Sequence, residues 1–148
     1  MSHVRQQIRD RVAQILTGLT TTGTSVTASR VLPYDVVDLP ALALKIETEE
    51  PVEETLTDDD HMTVDMVLVI MARASGTSLV NTLDTIQSEV QTAMAGEPKL
   101  NGLASSVEWA GVTDDELEDE GQVQIGTREI RYRLITSYSL RDPTGVVA

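Results

Sequence analysis

The N-terminal part of the chain carries apolar residues at every third or fourth position, which is the spacing of an amphipathic helix. Ser2 can cap the start of this helix and Gly18 can end it. A second stripe with the same spacing begins at Thr77 or Ser78 and stops at Gly96. The sequence therefore predicts two helices with one apolar face each, formed by Val4, Ile8, Val12, Ile15 and Leu16 and by Leu79, Leu83, Ile86, Val90, Ala93 and Met94.

The rest of the chain alternates between apolar and polar residues with the period of two that β-strands require. Strands are predicted near 26–31 and at 39–47, 62–73, 103–112 and about 123–140. The middle of the 62–73 strand is apolar on both faces, at Val67, Val69 and Met71. Such a strand is typical of the centre of a sheet or of a subunit interface, so these three residues are candidates for contact with a partner.

The order of these elements predicts an α+β fold, with a mostly antiparallel or mixed β-sheet and both amphipathic helices packed on one face. The length of 148 residues suits a single domain spanning 1–148. The tail at about 142–148 contains proline and glycine, and we expect it to be mobile.

Charge and composition narrow the class of function. The chain has 24 acidic and 11 basic residues, a formal charge of -13, which disfavours specific binding to nucleic acid. It has no cysteine, so disulfides and thiolate chemistry are excluded. The longest apolar run, at 66–72, is far shorter than the roughly 20 residues of a membrane span, and we expect neither a membrane anchor nor a signal peptide.

Fourteen of the 24 acidic residues fall in two clusters, at 47–60 and 114–120. Each cluster is predicted to lie in a connection between strands, where side chains meet water. A solvated loop, a negatively charged contact surface and a site for divalent cations are all open readings. The candidate acidic surface consists of Glu49, Glu50, Glu53, Glu54, Asp58, Asp59, Asp60, Asp114, Asp115, Glu116, Glu118, Asp119 and Glu120.

Catalytic and metal-binding motifs are missing from this sequence. The acidic run before His61 lacks the alternating ligands, the glycine and the final glutamate of an EF-hand loop. The chain has no G-x-S-x-G, S-x-x-K or H-E-x-x-H motif and no glycine-rich phosphate loop. We therefore predict that the protein is not an enzyme and has no catalytic residues, metal ligands or cofactor.

Positive charge is concentrated near the last predicted strand, at Arg128, Arg131, Arg133 and Arg141. Within such an acidic molecule, a positive edge opposite negative loops suggests head-to-tail association between copies, through Arg128, Arg131 and Arg133. Pairing of these arginines with acids of the same chain is an equally open alternative, because surface ion pairs are common and weak.

Several short segments of the sequence together resemble one known family. They are the Leu-Thr-Gly-Leu end of the first helix, the Leu39-Pro40-Ala41-Leu42 strand start, the acidic hairpin loop, the long 62–73 strand, the helix from Thr77 and the Arg131-Tyr132-Arg133-Leu134 strand. In this combination the chain resembles, over nearly its whole length, the tail-terminator (minor tail) proteins of long-tailed double-stranded DNA bacteriophages.

This resemblance implies a homo-oligomer, a hexameric ring that caps the tail tube, stops its polymerisation and forms the docking surface for the head-side connector. The implied partners are the tail tube protein and a connector or head-completion protein. The implied location is the head-proximal end of the tail in the virion, after assembly in the host cytoplasm. DNA would pass through the lumen without specific binding, because an acidic lining would repel its phosphates.

Two alternatives remain open. The protein could be another neck or tail-completion component of the same particle, since such components share its size and its lack of catalytic motifs. It could also be a metal-dependent hydrolase that uses the acidic loops, although their ligand spacing argues against it.

Overall fold

The computed structural model describes residues 2–28, 39–53, 61–120, 123–139 and 142–146, apart from the side chains of 53, 61 and 120. Two helices and six strands lie within these ranges. In chain order they are α1 (Val4–Leu16), β1 (Val26–Thr27), β2 (Ala41–Glu53), β3 (His61–Ser75), α2 (Leu79–Ala95), β4 (Ser106–Val112), β5 (Glu116–Glu120) and β6 (Val123–Ser139).

The strands form one six-stranded sheet in the order β1-β2-β3-β6-β4, and β5 also pairs with β6. The two-residue strand β1 runs parallel to β2, and the other pairings are antiparallel. Since β3 occupies one side of β6 along its length, β4 and β5 follow each other along the opposite side. The predicted α+β fold with a mixed, mostly antiparallel sheet is confirmed.

Both helices pack on one face of the sheet, as the sequence predicts. In β6 the even-numbered residues from Ile130 to Leu134 are buried, and in β3 the buried partners include Met66, Leu68 and Ile70. Ile8 of α1 and Leu83 and Ile86 of α2 belong to the same apolar core. Burying each such side chain contributes about 1.5–3 kcal/mol. We call the other side of the sheet, which the two helices leave uncovered, the open face.

The ends of the helices differ in detail from the prediction. His3, not Ser2, caps α1, because its Nδ1 accepts a hydrogen bond of 3.0 Å from the Arg5 backbone N–H. Thr17 is the C-cap, and Gly18 follows it with φ +97°, a conformation that glycine adopts at little cost. For α2 the prediction is confirmed, since Ser78 is the N-cap and Gly96 the C-cap.

The predicted loop position of the two acidic clusters is wrong for most of their described residues. Glu49 and Glu50 lie within β2, which extends to Glu53, and Glu116–Glu120 forms β5. Acidic side chains fit these positions because an outer strand can satisfy its backbone by pairing on one side while its side chains reach water. Glu54, Asp58, Asp59 and Asp60 lie outside the described residues.

The C-terminal segment contacts the first turn of α1 and the end of β6. The Val4 N–H donates to the Pro143 carbonyl at 2.9 Å, and Gln7 Nε2 donates to the Thr144 carbonyl at 2.6 Å. Val146 forms a β-bridge with Tyr138. Pro143 and Thr144 therefore supply backbone acceptors to the first turn of α1, and the mobility of the tail stays a prediction.

Candidate subunit interface

The open face carries a set of ion pairs that reach across the central strand. Lys45 Nζ of β2 lies 3.3 Å from Glu129 Oε2 of β6, and Arg131 of β6 pairs with Glu47 of β2 and, at 3.1 Å, with Glu129. Because β3 lies between β2 and β6, these side chains must cross above it. The hydrogen bond to Glu47 raises the pKa of Arg131, which keeps its positive charge in place.

These ion pairs explain why the centre of β3 is apolar on both faces. Val69 lies opposite both Lys45 and Arg131 in the strand register, and it is fully buried. Met71 is also buried, and Val67 is half-buried beside them. The long side chains of lysine and arginine can cover apolar neighbours with their methylene stems while their charged ends meet acids.

The prediction of contact with a partner needs a correction for Val69 and Met71, whereas for the half-buried Val67 it stays a prediction. Val69 and Met71 are buried within a single chain, so they are not available as a contact surface in this conformation. Of the two explanations that the sequence leaves open, the structure shows the central position in the sheet.

Arg128 lies on the opposite face from Arg131 because the two differ by an odd number of positions along β6. Its Nε and Nη2 donate to the two carboxylate oxygens of Asp115 at 2.7 and 2.9 Å. Its Nη1 donates to Asp84 Oδ1 at 2.6 Å and to Gln87 Oε1 at 3.0 Å, both on α2. The hydrogen bonds to Asp115 raise the pKa of Arg128 above its usual value. This buried guanidinium thus joins the segment between β4 and β5 to α2.

Arg133 pairs within the chain as well. Its Nε donates to Asp65 Oδ2 of β3 at 2.7 Å, and this hydrogen bond raises the pKa of Arg133. Intramolecular pairing is therefore observed for Arg128, Arg131 and Arg133, and it is the alternative that the sequence leaves open for all three. Their positive charges are already matched by acids of the same chain.

The outer edge formed by β4 and β5 exposes large apolar side chains. Trp109 is 51% exposed, Val112 is 40% exposed and Leu117 is 51% exposed. In the strand register they lie opposite Tyr132, Ile130 and Gly126 of β6. They therefore form a row on the helix side of the sheet, which α2 covers nearer the centre of the sheet. Over six β6 residues this row extends about 20 Å. We call these two strands, with their exposed side chains, the β4–β5 edge.

The same edge is acidic. Glu116, Glu118 and Asp119 of β5 are exposed, and within the described chain none of them forms an ion pair. Asp114 is exposed just before β5, whereas Asp115 is held by Arg128. Glu120 ends the strand. The second acidic cluster therefore forms a negatively charged strand at one edge of the sheet.

A cleft of about 430 Å³ lies at the other edge, between α1 and β2. Arg5 and Arg9 of α1 and Lys45 of β2 line it, together with Glu49. The Arg5 side chain donates a long hydrogen bond of 3.5 Å to the Ile46 carbonyl, and in the described part of the chain neither Arg5 nor Arg9 forms an ion pair. We call this feature the α1–β2 cleft.

The first acidic cluster is split by a β-bulge at Glu47, which shifts the register of β2. Glu50 lies opposite Asp65 on the open face, whereas Glu49 lies opposite Met66 and points to the helix side. There, burial and the neighbouring Glu49 raise the pKa of Tyr138. The two acids therefore belong to different surfaces, and Glu53 follows them at the end of β2.

Sequence reasoning missed the α1–β2 cleft and the apolar row on the β4–β5 edge. Arg5 and Arg9 are four residues apart, which places them on one helix face, so the sequence was sufficient to predict this pair of positive charges. The exposure of Val112 had no sequence signal, because the alternation of β4 is interrupted at Gly111, where φ is +100°. Leu117 lies in β5, a segment for which the sequence predicted a loop.

Among the described residues, no group of three histidine, aspartate or glutamate side chains is arranged to hold a metal ion. No described helix is long and apolar enough to cross a membrane. Compared with models of known protein families, the chain matches none, and a comparison with curated protein sequences likewise gives no match.

Proposed function

We propose that this protein is a structural subunit of a phage tail terminator, a ring that caps the tail tube and stops its polymerisation. The observation that carries the proposal is the unlike character of the two edges of the sheet. One edge is the acidic and apolar β4–β5 edge, and the other carries the α1–β2 cleft with its arginines. A subunit with two unlike edges can join head to tail with its neighbours and close into a ring.

The two sides of the sheet are also unlike, as a terminator requires. A tube of identical stacked rings presents the same growing surface after each addition, so it has no geometric stop. A terminating ring must match the tube on one side and differ on the other. Here the helix side is polar and lightly charged along α2, whereas the open face carries the ion pairs of Lys45, Arg131 and Arg133.

The distribution of charge is compatible with a ring through which DNA passes. On the open face, Lys45, Arg131 and Arg133 are paired with Glu129, Glu47 and Asp65, so these three side chains offer phosphates no unmatched positive charge. The net charge of -13 adds a general repulsion of DNA. On this proposal the partners are the tail tube protein and a head-side connector or head-completion protein, and the location is the head-proximal end of the tail.

An amber mutation in the gene, followed by electron microscopy of the lysate, tests the proposal. We expect tails that exceed their normal length and are not joined to heads, and normal particles when the protein is supplied from a plasmid. Tails of normal length that remain unattached to heads would indicate a neck or tail-completion component. Normal tails on heads would refute a role in either step.

A further inference from the structure

The β4–β5 edge combines two properties that favour contact with a partner surface. Trp109 and Leu117 each expose about half of their surface. Exposed apolar side chains on a sheet edge favour association with another chain. The acids of β5 lie along the same edge, Asp119 on the side of the apolar row and Glu116 and Glu118 on the open face, and no described ion pair neutralises them. A suitable partner surface should therefore be positively charged and partly apolar.

The α1–β2 cleft meets both requirements through its arginines. Arg5 and Arg9 line it with positive charge, which exceeds the single negative charge of Glu49, and their methylene stems can cover apolar neighbours. Leu44 and Ile46 form its buried floor, whereas the charged end of Lys45 pairs with Glu129 on the open face. In contrast to Arg128, Arg131 and Arg133, which are matched within the chain, Arg9 has no acidic partner among the described residues.

These two surfaces lie at opposite edges of one sheet, since β2 and β4 are separated by β3 and β6. They cannot meet within one chain. We infer that the β4–β5 edge of one copy docks against the α1–β2 cleft of a second copy. This rests on the proposed function only in that the repeated contact closes into a ring.

Other pairings between copies are less favourable. Two β4–β5 edges would bring Glu116 and Glu118 against the same residues of the partner, and two clefts would bring arginines together. The head-to-tail contact matches opposite charges and covers the apolar row at the same time. Because each copy keeps one free edge and one free cleft, the contact repeats from copy to copy.

Charge reversal on each side tests this contact. In the cleft variant, Arg5→Glu and Arg9→Glu are combined, and in the edge variant, Glu116→Lys and Glu118→Lys are combined. Sedimentation and light scattering should show that the wild type self-associates and that each variant alone associates at least about tenfold more weakly, because like charges then meet. The variant Lys99→Glu changes an exposed cation outside both surfaces and should associate like the wild type.

Mixing the two variants gives the decisive measurement. The acidic cleft of one variant then meets the basic edge of the other, so association should return in the mixture. A variant that had merely lost its fold could not be rescued in this way. Failure of the mixture to associate, or association of both variants at wild-type strength, would overturn the inference.

Trp109 supplies a direct readout because it is the only tryptophan of the chain and lies on the β4–β5 edge. Its fluorescence should move to shorter wavelength and become less accessible to acrylamide as wild-type protein associates, and not in either variant alone. A wild type that stays monomeric, or associates without a change at Trp109, would refute the contact. Overlong tails in the amber lysate would still support the proposed function in that event.

Discussion

Arg128→Met tests whether one buried guanidinium holds the β4–β5 edge to α2. The substitution keeps an apolar stem of similar length and removes the charge. Asp115, whose side chain is 18% exposed, then loses both hydrogen bonds that it accepts from Arg128. Asp84 also loses its bond, but its side chain is 62% exposed and water replaces the lost partner.

The expected cost follows from these exposures. Breaking a buried ion pair by removing one partner costs about 3–5 kcal/mol. Asp115 retains some access to water, so we expect about 3 kcal/mol, and the Asp84 bond adds less than about 1 kcal/mol because it is largely exposed. Asp115→Asn in the Arg128→Met background should recover part of the loss, since an amide is cheaper to leave buried than a carboxylate.

The matched control is Arg131→Met on the open face of the same strand. Arg131 and its partner Glu47 are both partly exposed, so this change should cost about 1 kcal/mol or less. Urea unfolding followed by circular dichroism, at one protein concentration for all variants, measures the free energy of unfolding. If Arg128→Met unfolds at the same urea concentration as Arg131→Met, the role assigned to Arg128 is wrong.

Three further predictions concern the core and the edge. Gly126→Ala places a Cβ 2.9 Å from Leu79 Cδ2 and should cost about 1–3 kcal/mol in urea unfolding, whereas Gly145→Ala, which has open space around it, should cost little. In thermal unfolding, Leu83→Ala should lower the free energy of unfolding by about 2–5 kcal/mol because Leu83 is fully buried in the core. Val80 on the same helix is half-exposed, so Val80→Ala should change this free energy by less than about 0.5 kcal/mol. Burial raises the pKa of Tyr132 to about 12, so the folded state holds the phenolic proton more tightly than the unfolded state does. The free energy of unfolding should therefore fall as the pH rises from about 10 to about 12. Urea unfolding at a series of pH values should show a smaller fall for Tyr132→Phe.

The hydrophobic pattern alone determined the helices, the long strands and the buried face of the sheet. The spacing of Val4, Ile8, Val12 and Leu16 and the alternation of Ile130, Tyr132 and Leu134 lead directly to the buried residues of the structure. A helix or strand must bury one face to be stable in water, so the period of its apolar residues carries this information locally.

Only the tertiary structure decided which charged side chains meet. Glu47 and Arg131 are 84 residues apart, and the order of β2, β3 and β6 brings them together above Val69. Charge attracts charge at any sequence separation, so composition alone could not distinguish a partner in the same chain from one in a second copy. The acidic segments became strands for a similar reason: backbone pairing with a neighbour, which no side-chain pattern reports, decides whether a polar stretch is a loop or the edge of a sheet.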